Sequence, residues 1–171
     1  MSAIAYRVRQ GITALRPRVP ACRDTILAST LTPRQAGAFL ALPIHDQAHL
    51  CRTFDILRTD GVKDPDLLRA GLLHDIGKVD GASRVQLHHR VTRVLLRRLA
   101  PRLLQRLART PAPGWRRGFS LAVNHPGLGA EQAARLGCSP RTCWLIAHHE
   151  TTPVPDDPDL RRLMAADHAA R

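Results

Sequence analysis

The sequence predicts an all-α protein, and three observations carry that prediction. Apolar residues recur at spacings of three and four along several stretches. No stretch alternates apolar and polar residues with period two over a useful length. Helix starts are announced by a capping residue followed by proline at Thr32-Pro33, Asp64-Pro65, Ser139-Pro140 and Asp157-Pro158.

Taken in order, residues 3–15 are expected to form a short amphipathic helix, and 16–23, with two prolines, a loop. Residues 1–31 read as an N-terminal extension and 32–171 as the main domain. Thr32-Pro33 opens a helix running to about residue 42, where Pro43 breaks or restarts it. The next helix places Ile44, Ala48, Leu50, Cys51, Phe54 and Leu57 on its apolar side, with His45 and His49 sharing a face. Asp60-Gly61 ends it as a turn. The helix after Asp64-Pro65 carries Leu67, Leu68, Ala70, Leu72 and Leu73, then His74-Asp75, and Gly77 is expected to let it stop.

Residues 83–109 form a long amphipathic segment, bent at Pro101, with apolar and arginine positions on separate helical stripes. This segment and the loop after it make an Arg-rich insert over 83–117. Two helices are expected next, 115–124 leading into His125 and 126–136 stopped by Gly137. Ser139-Pro140 starts a helix through Trp144 to His148-His149-Glu150. After a Pro/Asp-rich loop, Asp157-Pro158 caps a last helix with Leu160, Leu163, Met164 and Asp167.

The chain has 26 basic and 14 acidic residues, a net charge of +12, and Lys63 and Lys78 are its only lysines. Such a balance suits an anionic partner: a phosphorylated substrate, a nucleic acid or an anionic lipid surface. The arginine stripe reads as a solvated face, the alternative being bidentate phosphate pairing or contact with an anionic membrane surface. No run of eighteen apolar residues is present, so no transmembrane helix is expected, and the N-terminus lacks the apolar core of a secretory signal. Cys22, Cys51, Cys138 and Cys143 form no C-x-x-C pair and read as reduced thiols of a cytoplasmic protein.

The chemistry is concentrated in His-Asp residues. An apolar helix does not end on a buried His74-Asp75 pair unless something compensates the charge there, and a metal ion does so. Imidazole nitrogen and carboxylate oxygen suit zinc, iron and manganese. Asp75 has two oxygens and is able to hold two ions. The candidate ligands are His49, His74, Asp75, His125, His148, His149 and Asp167, scattered along the chain as ligands on a helical bundle must be. Lys78 is placed to steady a phosphate or a leaving oxygen as a compact point charge. His88 and His89 are assigned a surface or interhelical role.

The series His49…His74-Asp75…Asp167, with Gly77-Lys78 after the doublet, resembles the HD superfamily of metal-dependent phosphohydrolases over roughly residues 43–171. The segments His125-Pro126-Gly127 and Ala147-His148-His149-Glu150 are similar to the extra ligand segments of its HD-GYP branch and of related cyclic-dinucleotide phosphodiesterases. The resemblance implies an HD-type helical bundle binding two divalent transition ions such as manganese or iron. His49, His74, Asp75 and Asp167 would hold the first, and Asp75 would bridge to a second completed by His125, His148 and His149. It further implies hydrolysis of a phosphomonoester or phosphodiester, a nucleotide or cyclic nucleotide, by a metal-activated water, with Asp75 and Lys78 catalytic. His45 stands where trinuclear members carry a glutamate. Thr151-Thr152-Pro153 replaces the expected Asp-Gly-x-Gly-Tyr-Pro, so cyclic di-GMP is not singled out. Rival readings are a catalytically silent module with structural metal and a basic nucleic-acid-associated protein, though no nucleic-acid-binding motif is recognisable.

Overall fold

The computed structural model describes residues 23–170. The helix expected at 3–15 lies outside the described residues. Among the described residues the architecture is all-α, relieved only by a pair of two-residue strands.

Helix α1 (Arg23–Thr30) sends Leu27 into the core, followed by Leu31. Helix α2 (Pro33–Leu40) begins with a reciprocal capping box between Thr32 and Gln35, which satisfies two otherwise orphaned N–H groups. It ends before the expected position 42, but Leu42 remains buried. Helix α3 (Ile44–Thr59) closes at Asp60 with Gly61 at φ 77°, the turn that Asp-Gly announces. Helix α4 (Pro65–Leu73) is capped by Asp64, whose carboxylate accepts from Leu67 N–H at 2.8 Å.

The end of α4 differs from expectation. Gly77 is not a left-handed helix stop: the positive-φ glycines among the described residues are Gly61, Gly81 and Gly137. The chain instead passes through His74 and Asp75 into a tight 3-10 turn, Ile76–Lys78. Gly77 serves close approach. A Cβ there would lie 2.2 Å from His125 O and 2.5 Å from Gly129 N. The turn therefore packs backbone to backbone against a later helix.

Strands β1 (Val79–Asp80) and β2 (Ser83–Arg84) pair antiparallel around Gly81, a hairpin too short to show in a periodicity reading. The Arg-rich segment forms α5 (Leu87–Leu99) and α6 (Pro101–Ala108), separated at Ala100, where Pro101 starts the second helix. A second 3-10 turn, Gly114–Arg116, leads into α7 (Arg117–Arg135).

The two helices expected on either side of Pro126 are one. Pro126 sits inside α7, lacking the N–H that would bond to Ala122 O. His125 Nδ1 lies 3.2 Å from that same carbonyl, so the group released by proline is satisfied by the neighbouring imidazole. Gly137, at φ 75°, ends α7, with Cys138 N–H donating to Ala133 O and Gly137 N–H to Ala134 O. Helix α8 (Pro140–His148) is capped by Ser139 and α9 (Pro158–Ala169) by Asp157. Arg141 of α8 clamps Asp157 and Asp159 at 2.8 and 2.9 Å, tying the start of α9 to α8.

The core is assembled from the inward faces of α3, α4, α8 and α9. Leu50, Leu57, Leu67, Leu72, Leu73, Ile146, Leu160 and Leu163 are all fully buried there. Helix α7 closes the assembly beside the 3-10 turn, and α6 lays Leu104 and Ala108 down as buried contacts. No helix among the described residues is long and apolar enough to cross a membrane.

Candidate metal centre

Five helices deliver side chains to one buried point. His49 comes from the middle of α3, and His74 and Asp75 follow the last turn of α4. His125 comes from the middle of α7, His149 follows the last residue of α8, and Asp167 comes from α9. His74, Asp75, His125, His149 and Asp167 are buried, while His49 is slightly open.

Asp75 is the centre of the arrangement. Its Oδ1 lies 3.4 Å from His125 Nε2 and 3.9 Å from His149 Nε2. Its Oδ2 lies 3.9 Å from His74 Nε2 and 2.5 Å from Lys78 Nζ. On the side of His74, Asp167 Oδ1 stands 2.8 Å from His49 Nε2 and 3.5 Å from His74 Nε2. Two groups have the composition and spacing of an ion site: His49, His74 and Asp75, and Asp75, His125 and His149, each with its donor atoms within 4.8 Å of one another. Asp75 belongs to both.

The imidazoles are oriented by their own backbone. His74 Nδ1 lies 3.2 Å from Gly71 O, His125 Nδ1 3.2 Å from Ala122 O, and His149 Nδ1 2.7 Å from Ile146 O. A proton on Nδ1 donates to each carbonyl and leaves Nε2 as a lone pair facing the site, the arrangement typical of metal-ligating histidines. Among the described residues, the buried side-chain nitrogens without a hydrogen-bond partner are Arg69 Nε, His74 Nε2 and His125 Nε2. Two of the three therefore converge on Asp75. Buried polar atoms left this way are costly unless another group completes them. The donor set fits a divalent transition ion.

Electrostatics agree with that fit. Burial lowers His149, and repulsion from His74 and His125 adds to it, holding the ring down to about 3 and hence neutral at physiological pH. Burial would raise Asp75, but Lys78, His74 and His125 outweigh it and keep the carboxyl well below its ordinary value. Burial would also lower His74, yet the carboxylates of Asp75 and Asp167 raise it overall, so that cluster attracts positive charge.

His148 does not join either group. Its ring stacks on Trp144 at 4.5 Å, with Nδ1 2.8 Å from Trp144 O. The helix ends at His148, so the next residue turns inward where His148 stays on the flank. His45 is half exposed and faces Asp46 at 3.3 Å rather than the cluster. His89 has the interhelical role: it accepts from Gln86 N–H at 3.1 Å and meets the Phe119 ring edge-on at 4.8 Å.

Sequence reasoning missed two acids. Glu150 Oε1 lies 3.9 Å from His125 Nε2, and both its oxygens accept from Arg93 of α5. Burial would raise its carboxyl, but His125 and Arg93 hold it below the ordinary value. Asp46 is buried one turn before His49, with Arg90 Nη2 2.7 Å from each of its oxygens. Its position next to His45 was the available signal. Helix α5 thus spans the site, bonded through Arg90 to α3 and through Arg93 to the residue after His149. Beside Glu150 a cleft opens, lined by Arg93, Arg97, Pro101, Gln105 and Thr151.

No curated protein and no solved structure matches the chain. A family model described as HD domain matches residues 47–171. That span takes in His49, the His74-Asp75 doublet, His125, His149 and Asp167, and by it the chain belongs to the HD domain family.

Proposed function

We propose that the protein is a metal-dependent phosphohydrolase acting on a phosphomonoester or phosphodiester, with a nucleotide or cyclic nucleotide as the substrate class. The observation that carries this reading is the shared carboxylate. Asp75 turns one oxygen toward His125 and His149 and the other toward His74, and imidazole nitrogens on both sides lack a hydrogen-bond partner.

In this reading His49, His74, Asp75 and Asp167 hold one divalent ion, and Asp75, His125 and His149 hold another, manganese or iron being the expected metals. When bound, such a pair supplies Lewis acidity toward a water and toward phosphoryl oxygens. The chain's own residues do the rest. The Nδ1-to-carbonyl bonds keep the three inner imidazoles in the ligating tautomer. Lys78, partly exposed and paired with Asp75, presents its ammonium to an incoming phosphate. Glu150 is held as a carboxylate at the rim by His125 and Arg93 and anchors Arg93 there, while Arg93 and Arg97 line the adjoining cleft with charge that suits a phosphorylated ligand. The thiols of Cys138 and Cys143 suit a reducing cytoplasmic setting.

The test is direct. Metal content is measured on the purified chain, and a nitrophenyl phosphodiester is assayed with manganese or iron present. Asp75→Ala is expected to abolish turnover while retaining the helical dichroism of the parent. Stoichiometric metal without turnover on a panel of phosphoesters would assign the chain to a regulatory role instead.

A further inference from the structure

Helix α5 is packed by the wrong face. Its inward side carries His89, Arg90, Thr92, Arg93 and Leu96. Its apolar side points to solvent: Leu87 is 74% exposed, Val91 51%, Val94 70%, Leu95 53% and Leu99 77%. Spacings of four, three, one and four place these on one continuous stripe. Soluble chains rarely leave such a run of aliphatics uncovered without a use for it.

The charge around the stripe narrows what covers it. Between Asp80 and Glu131 there is no acidic residue and there are ten arginines. Arg84, Arg97, Arg98 and Arg102 are exposed and have no ion-pair partner among the described residues. Arg98 lies within the stripe itself. A second copy of the chain would bring arginine against arginine. Residues 1–22 would do the same, since they hold Arg7, Arg9, Arg16 and Arg18 and no acid. A nucleic acid would answer the charge but leave the aliphatics in water, and the stripe offers no aromatic ring for base stacking. A bilayer surface rich in anionic headgroups answers both requirements: phosphates take the guanidinium groups while the aliphatics enter the acyl boundary.

We propose that α5 is a membrane-surface helix that docks the protein on anionic lipid through Leu87, Val91, Val94, Leu95 and Leu99, with Arg98 and Arg102 on headgroup phosphates. The opposite face of the same helix bonds to Asp46 and Glu150, so docking holds the candidate metal centre about one helix diameter, ~10 Å, from the lipid surface. This inference does not depend on the chemistry proposed for that centre.

The experiment is co-sedimentation of the full chain with extruded vesicles of phosphatidylcholine alone and of phosphatidylcholine mixed with phosphatidylglycerol. Binding is expected on the anionic vesicles, weakening with salt, and little on the neutral ones. The double variant Leu95→Ser, Leu99→Ser leaves the net charge unchanged and alters only exposed side chains, so its thermal melt should match the parent. Its partition onto anionic vesicles should fall by at least about tenfold. Absence of binding to anionic vesicles overturns the proposal. So does binding that survives the serine substitutions, which would reduce it to general attraction by a basic protein. A dimer seen by ultracentrifugation that the serine variant dissolves, without vesicle binding by the parent, would make the stripe a self-association surface and overturn it equally.

Discussion

Gly77→Ala is the substitution most sharply constrained by the structure. The added Cβ would stand 2.2 Å from His125 O and 2.5 Å from Gly129 N, against an ordinary contact of 3.4 Å or more. Both obstacles are backbone atoms of α7, so no side-chain rotation relieves them. The turn and the helix must separate by roughly 1 Å, an overpacking that costs about 1–3 kcal/mol. In a domain of this size, at about 2–4 °C per kcal/mol, that is a fall in melting temperature of about 2–12 °C. The same displacement moves Asp75 away from His125, now 3.4 Å apart at their facing atoms. Ion sites tolerate only ~0.2 Å of error in ligand distance, so metal content should become substoichiometric. Gly127→Ala is the internal control. It lies in the same helix, meets nothing within 4 Å, and should leave metal content unchanged while stability holds or rises by up to about 1 kcal/mol. The assays are thermal melts by circular dichroism and metal analysis of the purified variants. A Gly77→Ala protein that melts with the parent and carries the same metal would refute the close-approach account.

Two further outcomes follow from the site and from the helix that supplies Asp167. His149→Ala should lose most of one equivalent of metal, whereas His148→Ala, whose ring lies on Trp144, should keep full stoichiometry; equal losses would show that both histidines reach the ions. Asp157→Ala removes the cap of α9 and the partner of Arg141, and should cost about 1 kcal/mol near neutral pH. The hydrogen bond from Arg141 lowers the Asp157 carboxyl below its ordinary 3.8, so this contribution is complete above that value and fades as pH falls through the lower folded one. The stability difference between parent and variant should therefore shrink on acidification below about pH 4, and a difference that grows there would contradict the assignment.

Much of the helical order was legible because capping chemistry is local. Thr32, Asp64, Ser139 and Asp157 each do what a capping residue before proline does, and Gly61 and Gly137 take the left-handed turns expected of them. Gly77 misled because the demand on it is tertiary: no local rule reveals that another helix's backbone will pass within contact. Pro126 misled in the opposite direction. A proline reads as a helix boundary, but here the carbonyl it releases is taken by His125, and the helix runs on. The gathering of His49, His74, Asp75, His125, His149 and Asp167 was expected from residue type at helix ends and inner faces and from the resemblance to the HD superfamily, whereas the placing of His148 turned on where α8 ends, which is uncertain by a residue in any sequence reading. Asp46 and Glu150 escaped notice because their partners, Arg90 and Arg93, sit 44 and 57 residues away.

Helices α4 and α8 both finish at the candidate centre, one directly before His74 and the other directly before His149. Each helix carries partial negative charge at that end, so two macrodipoles aim their negative poles at the same buried volume, each contributing about 0.3–1 kcal/mol toward a cation held there. Together with the Asp75 and Asp167 carboxylates, these poles bias the buried volume toward positive charge. A divalent ion held by these residues would therefore be favoured by the helix ends as well as by the carboxylates.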